Sequence, residues 1–301
     1  MSEAARQRFE FGRHETFPVR EAWLAKGLQR MEAAQAFRAD LETADALGLG
    51  SRMVKSLAFW LEAAGLAERV TGQGRVREGR PTALAETISV HDPFLELPAS
   101  WWFVHLMLAR RAGTVWHWFF NDYAERAFDR RDCVDAFARH VRDRATNGTT
   151  LAVMQRDVAC LLASYAVPSG GERPDPEDAT VSPLRALGLL VRHTDTGRFE
   201  RTRPLDRVPV EAVLAAASLM VADTERDAIP LADLGGARNG PGRIMGLPGE
   251  AIDAVASEAA EFHWMHGVRV DLLGASRVLT VPRWAPEDWL AIHFRRIGIA
   301  S

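Results

Sequence analysis

Apolar residues recur at helical spacing from residue 16 onward, and small polar segments interrupt them. Thr16 and Pro18 are typical of a helix start, because threonine caps free amide groups and proline suits a first turn. The apolar spacing over residues 22–31 then predicts a helix. A second short helix is predicted within residues 37–50, with Leu41 facing inward and a glycine pair ending it.

Residues 51–64, SRMVKSLAFWLEAA, predict a longer amphipathic helix that Gly65 closes. Its inward face comprises Met53, Val54, Leu57, Trp60, Leu61 and Ala64. Its outer side carries Arg52, Lys55, Ser56 and Phe59. The following segment, LAERVTGQGRVREGRPTAL (66–84), alternates and contains glycines, which predicts a two-stranded hairpin with a basic tip. Helix, short helix, turn, longer helix and hairpin form the order of a winged helix-turn-helix.

The apolar run at 101–120 is interrupted by Arg110 and Arg111. Neither half reaches the roughly 20 residues that a membrane-spanning helix needs. We therefore predict two buried helices with a bend near Gly113 and no membrane association. The helical pattern continues to about residue 165, and Asp129 is placed to cap a helix that runs through Val141.

Prolines, glycines and acids at 168–181 predict a surface linker. Beyond it, two strands joined at DTG, a helix at 210–222, a short helix and turn, a helix at 248–263 and an alternating segment repeat the N-terminal order. The predicted fold is mainly α, with small β-hairpins. Its parts are a winged helix-turn-helix domain (1–92), a helical middle domain (93–167), the linker (168–181) and a C-terminal winged-helix-like domain (182–301).

Charge and cysteine content narrow the possible functions. The 301 residues carry a formal net charge of -3, so no global positive field attracts polyanions, and any nucleic-acid surface has to be a local patch. Cys133 and Cys160 lie in apolar helical patterns, which predicts buried free thiols rather than a disulfide framework or a zinc site. The N-terminal segment lacks the apolar core of a secretory signal, so a cytoplasmic location is expected.

A local basic patch occurs where a winged helix presents side chains to DNA. Residues 51–80 contain six basic and three acidic side chains. The candidate DNA-binding residues are Ser51, Arg52, Lys55, Ser56, Phe59, Arg69, Arg75, Arg77 and Arg80. An outward Phe59 would also suit protein docking. Arg52 is the only arginine on the candidate recognition helix, so sequence-specific reading is less well supported. Non-specific or cooperative binding through salt-dependent phosphate contacts stays open.

Enzymatic motifs are weak in this sequence. GGARNGPGR (235–243) lacks the Gly-Lys-Ser/Thr of a phosphate-binding loop, and HWMH (263–266) has no acid or cysteine at metal-ligand spacing, so we predict exposed histidines at a helix end. His105 and His117 are predicted core histidines. His14 and Glu15 have no neighbouring nucleophile. We expect no enzymatic activity, no cofactor and no metal.

Several blocks occur in one order: FGRHETFPVREAWL, LGLGSRMVKSLAFWLEAAGL, HDPFLELPASWWFVHLML, WHWFFN, SPLRALGLL and GPGRIMGL. In these blocks the chain resembles the bacterial family catalogued as domain of unknown function 4007. The resemblance carries over no catalytic residue. It implies a place in phage-defence or DNA phosphorothioation systems, beside sulfurtransferases resembling phosphoadenosine-phosphosulfate reductase and cysteine desulfurases.

The patch and the resemblance together predict a DNA-binding, non-catalytic targeting subunit of a DNA-modification or anti-phage system. Double-stranded DNA and a sulfurtransferase are its expected partners. Two alternatives stay open. One is a protein-protein adaptor that holds a sulfurtransferase without touching DNA, and the other is a transcriptional repressor of the defence locus.

Overall fold

The computed structural model describes residues 6–71, 77–170, 181–224 and 226–299. The fold is mainly helical, as predicted. It contains 54% helix and 13% strand. Within the described ranges, no helix combines the length and the apolar character needed to cross a membrane.

The first part of the chain contains four helices and a hairpin in the predicted order. They are α1 (Trp23–Ala34), α2 (Leu41–Leu47), α3 (Ser51–Ala63), β1 (Ala67–Thr71), β2 (Arg77–Pro81) and α4 (Ala83–His91). Asp40 caps α2 by accepting a hydrogen bond from the Thr43 amide at 2.9 Å. Two details of the prediction are wrong: α1 begins at Trp23 and not near Thr16, and Leu41 is 73% exposed.

The hairpin is antiparallel, with Ala67 opposite Pro81 and Thr71 opposite Arg77. Phe37, between α1 and α2, forms an isolated antiparallel bridge with Gly79 of β2. The two residues exchange both backbone hydrogen bonds, at 2.7 and 2.9 Å. The loop after α1 is therefore fixed to the outer edge of the hairpin.

The middle of the chain is helical with two very short strands. Its elements are α5 (Pro98–Arg110), α6 (Val115–Asn121), β3 (Ala127–Phe128), α7 (Arg130–Arg144), α8 (Leu151–Tyr165) and β4 (Ala166–Pro168). The predicted helix pair with a bend at Gly113 is confirmed. Gly113 has φ +74°, and a Cβ at this position would collide with the carbonyl oxygen of Arg8. Asp129 caps α7, as predicted, by accepting from the Asp132 amide.

Two further strands, β5 (Leu190–Arg192) and β6 (Phe199–Arg201), complete a four-stranded sheet in the order β3-β6-β5-β4. The predicted hairpin around DTG corresponds to β5 and β6. β3 and β4 were not predicted, because two or three residues are too few to show an alternating pattern. Pro168 pairs with Arg192 as part of β4, so the predicted linker starts at least one residue too early. Its residues 171–180 lie outside the described ranges.

The last part of the chain contains α9 (Val210–Ala222), β7 (Ala228–Pro230), α10 (Leu231–Gly236), α11 (Pro241–Met245), α12 (Gly249–Phe262), β8 (Arg269–Leu273), β9 (Ser276–Thr280) and α13 (Pro286–Arg296). The strands form a sheet in the order β7-β9-β8. β7, which precedes α10, thus pairs with the last strand of the β8-β9 hairpin. Phe37 makes the equivalent pairing in the N-terminal part.

One continuous hydrophobic core runs through these parts of the chain. Its largest fully buried side chains include Trp60, Trp102, Trp116 and Trp289. The closing helix α13 packs against α4, α5 and α9, so the C-terminal helix contacts elements from both earlier parts of the chain. The division into domains stays a prediction. Both cysteines are buried and free, as predicted.

Two histidines are deeply buried in this core, as predicted. His105 Nε2 donates to the Ile244 carbonyl at 2.6 Å, and Nδ1 lies 2.9 Å from the Tyr165 hydroxyl. Burial lowers the pKa of His105 to about 4, only partly opposed by the bond to Ile244. His117 lies against the Ala109 carbonyl, and burial lowers its pKa as well.

We expect His105 to make stability depend on mildly acidic pH. Because its folded-state pKa lies below the ordinary value of 6.5, the unfolded chain takes up the proton first. The contribution of His105 to the unfolding free energy is complete above pH 6.5. It falls by about 3 kcal/mol as the pH approaches 4, at 1.36 kcal/mol per pKa unit. Urea denaturation from pH 7 to pH 4.5 measures this. The His105→Gln variant should show a shallower slope, and equal slopes would contradict the prediction.

Candidate nucleic-acid interface

Helix α3 exposes only a narrow strip. Ser51, Arg52 and Lys55 are exposed, and Ala58 and Glu62 are half-buried, one and two turns further along. From Arg52 onward these positions follow each other at spacings of three and four residues, so they form one line along the helix. The strip lies toward the N-terminal end of α3, where a recognition helix presents its side chains to DNA.

The predicted exposure of Ser56 and Phe59 is wrong. Ser56 is fully buried, and its hydroxyl donates to the His14 carbonyl at 2.8 Å. Phe59 is 1% exposed and packs against the rings of Trp60 and Trp116, each with a centroid distance of 5.6 Å. A side chain without accessible surface cannot contact a duplex, so neither residue belongs to the interface.

The reason is a second layer that the helical pattern of α3 does not reveal. The segment containing residues 9–17, which turns at residues 12–16, packs against α3 beside its predicted apolar face. His14 anchors this segment through a 2.7 Å bond from Nε2 to Asp157 of α8, and the Trp60 indole donates to the Phe17 carbonyl at 3.0 Å. The helix is therefore buried on two sides.

The basic side chains differ in how far acids neutralise them. Arg52 pairs with Glu15 at 3.0 Å, Arg69 pairs with Glu62, and Arg80 lies 3.4 Å from Glu78. Lys55 and Arg77 have no salt bridge to any described residue. Arg75 lies outside the described residues. Lys55 and Arg77 therefore carry the charges that are most available to a polyanion.

A groove of about 270 Å³ separates α3 from the hairpin. Its lining includes Arg13, Lys55, Arg69 and Arg77 and the acids Glu15, Glu62 and Glu78. The side chains of Glu62 and Glu78 are only 12% and 6% exposed, whereas Lys55, Arg69 and Arg77 are exposed. Buried acids hold the arginines in place, and the outer rim stays positive. Arg13 and Glu15 were not predicted for this groove because they lie outside residues 51–80. Only the packing of the N-terminal segment against α3 brings them to it.

The possible catalytic groups have structural partners. His14 and Asp157 form a buried pair, and His14 Nδ1 accepts from the Thr16 amide at 3.0 Å, so both ring nitrogens are engaged. The predicted exposure of both HWMH histidines is wrong for His263, which is buried with Nε2 3.1 Å from Glu211. In the described part of the chain, no group of three or more His, Cys, Asp or Glu could hold a metal ion.

The last part of the chain, from α9 to α13, is called the C-terminal unit below. It offers a surface of acidic and apolar side chains, unlike the basic side chains of the groove beside α3. Helix α12 exposes Glu250, Glu258 and Glu261 rather than basic residues. Beside it, five large apolar side chains are 62–76% exposed: Phe262, Trp264, Met265, Leu272 and Leu273. The helix that corresponds in order to α3 therefore presents acidic rather than basic side chains.

Two solved structures resemble this fold over nearly its whole length. A magnesium ion-bound SspB crystal structure is 27% identical, covers 99% of this chain and 89% of that one, and has a TM-score of 0.83. A second structure, described as an SspB crystal structure with no mention of magnesium, has the same identity and coverage and a TM-score of 0.81. No curated protein matches the chain. The sequence profile of the family described as "Protein of unknown function (DUF4007)" matches residues 11–288, and the chain belongs to that family.

Proposed function

We propose that this protein is a DNA-binding, non-catalytic component of a DNA phosphorothioation-type system. The observation that carries the proposal is the exposed positive rim of the groove between α3 and the hairpin, with Lys55 and Arg77 unpaired among the described residues. Phosphate contacts supply most of the affinity in sequence-independent DNA binding. Two unpaired charges on a helix start and a hairpin strand fit that role.

The element order supports a winged helix-turn-helix for the N-terminal unit. Three helices precede a hairpin, and Phe37 bridges to Gly79 as a minimal first strand. In such a fold the third helix enters the major groove. The burial of Ser56 and Phe59 leaves only the start of α3 for this, so we infer shallow docking, with the hairpin following the phosphate backbone.

The similar solved structures support the system in which the protein acts. Their name, SspB, points to a phosphorothioation-related protein. We infer that this chain brings a sulfur-transferring enzyme to the duplex.

The exposed apolar side chains of the C-terminal unit favour a second candidate function, a protein-protein adaptor. Phe262, Trp264 and Met265 are exposed within one four-residue segment, and exposed apolar patches mark protein docking surfaces. The docking role first considered for Phe59 is withdrawn because Phe59 is buried. A single protein can combine both activities, with DNA on the N-terminal unit and an enzyme on the C-terminal unit.

The test is fluorescence anisotropy of a labelled random duplex of about 30 base pairs, a length that spans several phosphate contacts on one face. The Lys55→Ala/Arg77→Ala variant should bind roughly tenfold or more weakly, with the salt slope reduced by about 2, because each phosphate contact contributes about 0.9 to the slope. Salt is varied from 50 to about 200 mM, where this difference is large.

The matched control is Lys26→Ala/Arg139→Ala. Both residues are exposed, and they lie on α1 and α7. Their substitution removes the same net charge as Lys55→Ala/Arg77→Ala does. If the control weakens binding as much as Lys55→Ala/Arg77→Ala does, the positive rim is not the interface. If the wild-type protein does not bind duplex at low salt, the DNA-binding proposal is wrong and the adaptor remains.

A further inference from the structure

A second cavity, of about 350 Å³, lies where the middle of the chain meets the C-terminal part. Three segments form most of its lining: residues 120–126 at and after the end of α6, residues 201–203 at the end of β6, and residues 242–248 around α11. The last of these belongs to the GPGRIMGL block that the proposed DNA contact does not use. We call this cavity the arginine pocket, after Arg126, Arg201, Arg203 and Arg243.

The charge of the arginine pocket is strongly one-sided. Its lining contains four arginines and a single carboxylate, Asp122. Asp122 is already paired with Arg238 outside the lining, at 2.7 Å. Among the four arginines only Arg126 has a salt bridge in the described residues, to Glu200 at 3.2 Å. The remaining three bring positive charge that no described acid neutralises.

Arg201 is the deepest of these arginines. Its Nε donates to the Glu125 carbonyl at 3.2 Å, and its Nη2 donates to the carbonyls of Phe119 and Tyr123. The guanidinium lies 4.0 Å from the Phe119 ring centroid. Burial lowers the pKa of Arg201 to about 10, so it stays cationic at neutral pH. Nη1 has no hydrogen bond to the described residues, and it is the donor left for a ligand.

Arg243 is held in a similar way. Its Nε donates to the Gly236 carbonyl at 2.5 Å and its Nη1 to the Asn121 carbonyl, which leaves Nη2 without a bond to the described residues. The glycine before it is required, because a Cβ at Gly242 would collide with the Gly235 backbone. Arg203 is exposed, and its side chain has no hydrogen bond to the described residues. Two fixed guanidinium groups and one free one therefore line the same cavity.

We propose that the arginine pocket is a binding site for a phosphate group carried by a nucleotide or a nucleic acid. Guanidinium groups held by carbonyls keep their planar donors preorganised, and phosphate oxygens are the acceptors that match them. The only carboxylate of the lining, Asp122, is paired with Arg238, so Arg201, Arg203 and Arg243 have no described counter-charge, and a bound phosphate would supply it. The volume is within the range of small-molecule sites, so a mononucleotide fits as well as a single backbone phosphate.

The test is isothermal titration of the full chain with inorganic phosphate and with deoxyadenosine monophosphate, followed by anisotropy with the random duplex. Arg203→Gln and Arg243→Gln should each weaken binding roughly tenfold or more, as expected for the loss of one charge-assisted hydrogen bond. Arg203→Gln breaks no bond in the described structure, so its loss of binding cannot come from misfolding. Arg139→Gln, an exposed arginine of α7 outside the pocket, should leave binding unchanged.

Each outcome decides the proposal. If the mononucleotide binds the wild-type protein and its binding is lost in both pocket variants, the ligand is a free nucleotide. If only duplex binding weakens in both variants, the phosphate belongs to DNA. If neither small phosphate nor duplex binding responds, or if Arg139→Gln weakens binding equally, the pocket is not a phosphate site. The Lys55→Ala/Arg77→Ala variant should still bind the mononucleotide, which separates this result from the DNA-binding proposal.

Discussion

The Glu211→Ala variant is expected to lose about 3–5 kcal/mol of unfolding free energy, the usual effect of removing one partner from a buried charged network. Glu211 is fully buried on α9. Its carboxylate lies 3.1 Å from His263, 2.8 Å from His293 and 2.6 Å from Arg296. The change would leave the Arg296 guanidinium and two imidazoles without their shared acceptor, where α9, the segment after α12 and α13 meet.

The charge of Glu211 is stabilised in the folded state. Burial alone raises the pKa of this carboxyl, but the hydrogen bonds from His263, His293 and Arg296 outweigh burial and hold the pKa well below 4.5. A depressed carboxyl pKa contributes stability that is complete above pH 4.5 and is lost as the pH falls toward the folded-state value. The difference between wild type and Glu211→Gln should therefore shrink below pH 4.5.

Urea denaturation followed by circular dichroism measures both effects. Glu261→Ala is the matched control, because Glu261 is exposed on α12 and has no salt bridge to a described residue. Its unfolding free energy should stay within about 0.5 kcal/mol of wild type. A loss of less than about 1 kcal/mol in Glu211→Ala would mean that solvent replaces the carboxylate, against the burial in the structure.

The second large effect is expected for Phe59→Ala, which should lose about 3–5 kcal/mol of unfolding free energy, as truncated core aromatics do. Phe59 lies among His14, Trp60 and Trp116, and the Arg13 guanidinium lies 5.6 Å from its ring centroid. The truncation would open a cavity between α3, α6 and the N-terminal segment. Phe59→Leu should lose less, which keeps the measurement possible if the alanine variant does not fold.

Lys55→Ala is the control on the same helix, one turn earlier and exposed. It should leave stability within about 0.5 kcal/mol while it weakens DNA binding, whereas Phe59→Leu should do the reverse. If Phe59→Leu keeps its stability and loses DNA affinity, then Phe59 faces the duplex and the burial of this side of α3 is wrong. The pair of variants thus separates the core side of α3 from its exposed strip.

Much of the secondary structure could be predicted because local patterns encode it. The helix at 210–222 was predicted with the bounds that the structure has, and the hairpin at 67–81 lies within the predicted segment. Capping residues such as Asp129 and the apolar spacing of long helices act within a few positions of the chain. The short strands β3 and β4 escaped, since only their distant partners in the sheet define them.

The site was predicted only in part, for the same reason. Arg52, Lys55, Arg69, Arg77 and Arg80 are exposed, as predicted. The periodicity of α3 gave one apolar face, but it could not reveal that residues 9–17, fixed by the contact between His14 and Asp157, cover a second face. The arginine pocket was not predicted either, because its three segments are far apart in sequence and its glycine-rich block reads as a turn.

The sequence by itself determined the helices, the hairpins, the family resemblance and the sign of the charge between residues 51 and 80. These properties depend on residues that are close in sequence and on composition, and both can be taken directly from the amino-acid sequence. The tertiary structure alone decided which of those charges stay unpaired, which side chains of α3 are buried, and which arginines meet in one cavity. Burial and charge pairing depend on contacts between distant segments, and only the packed fold sets those distances.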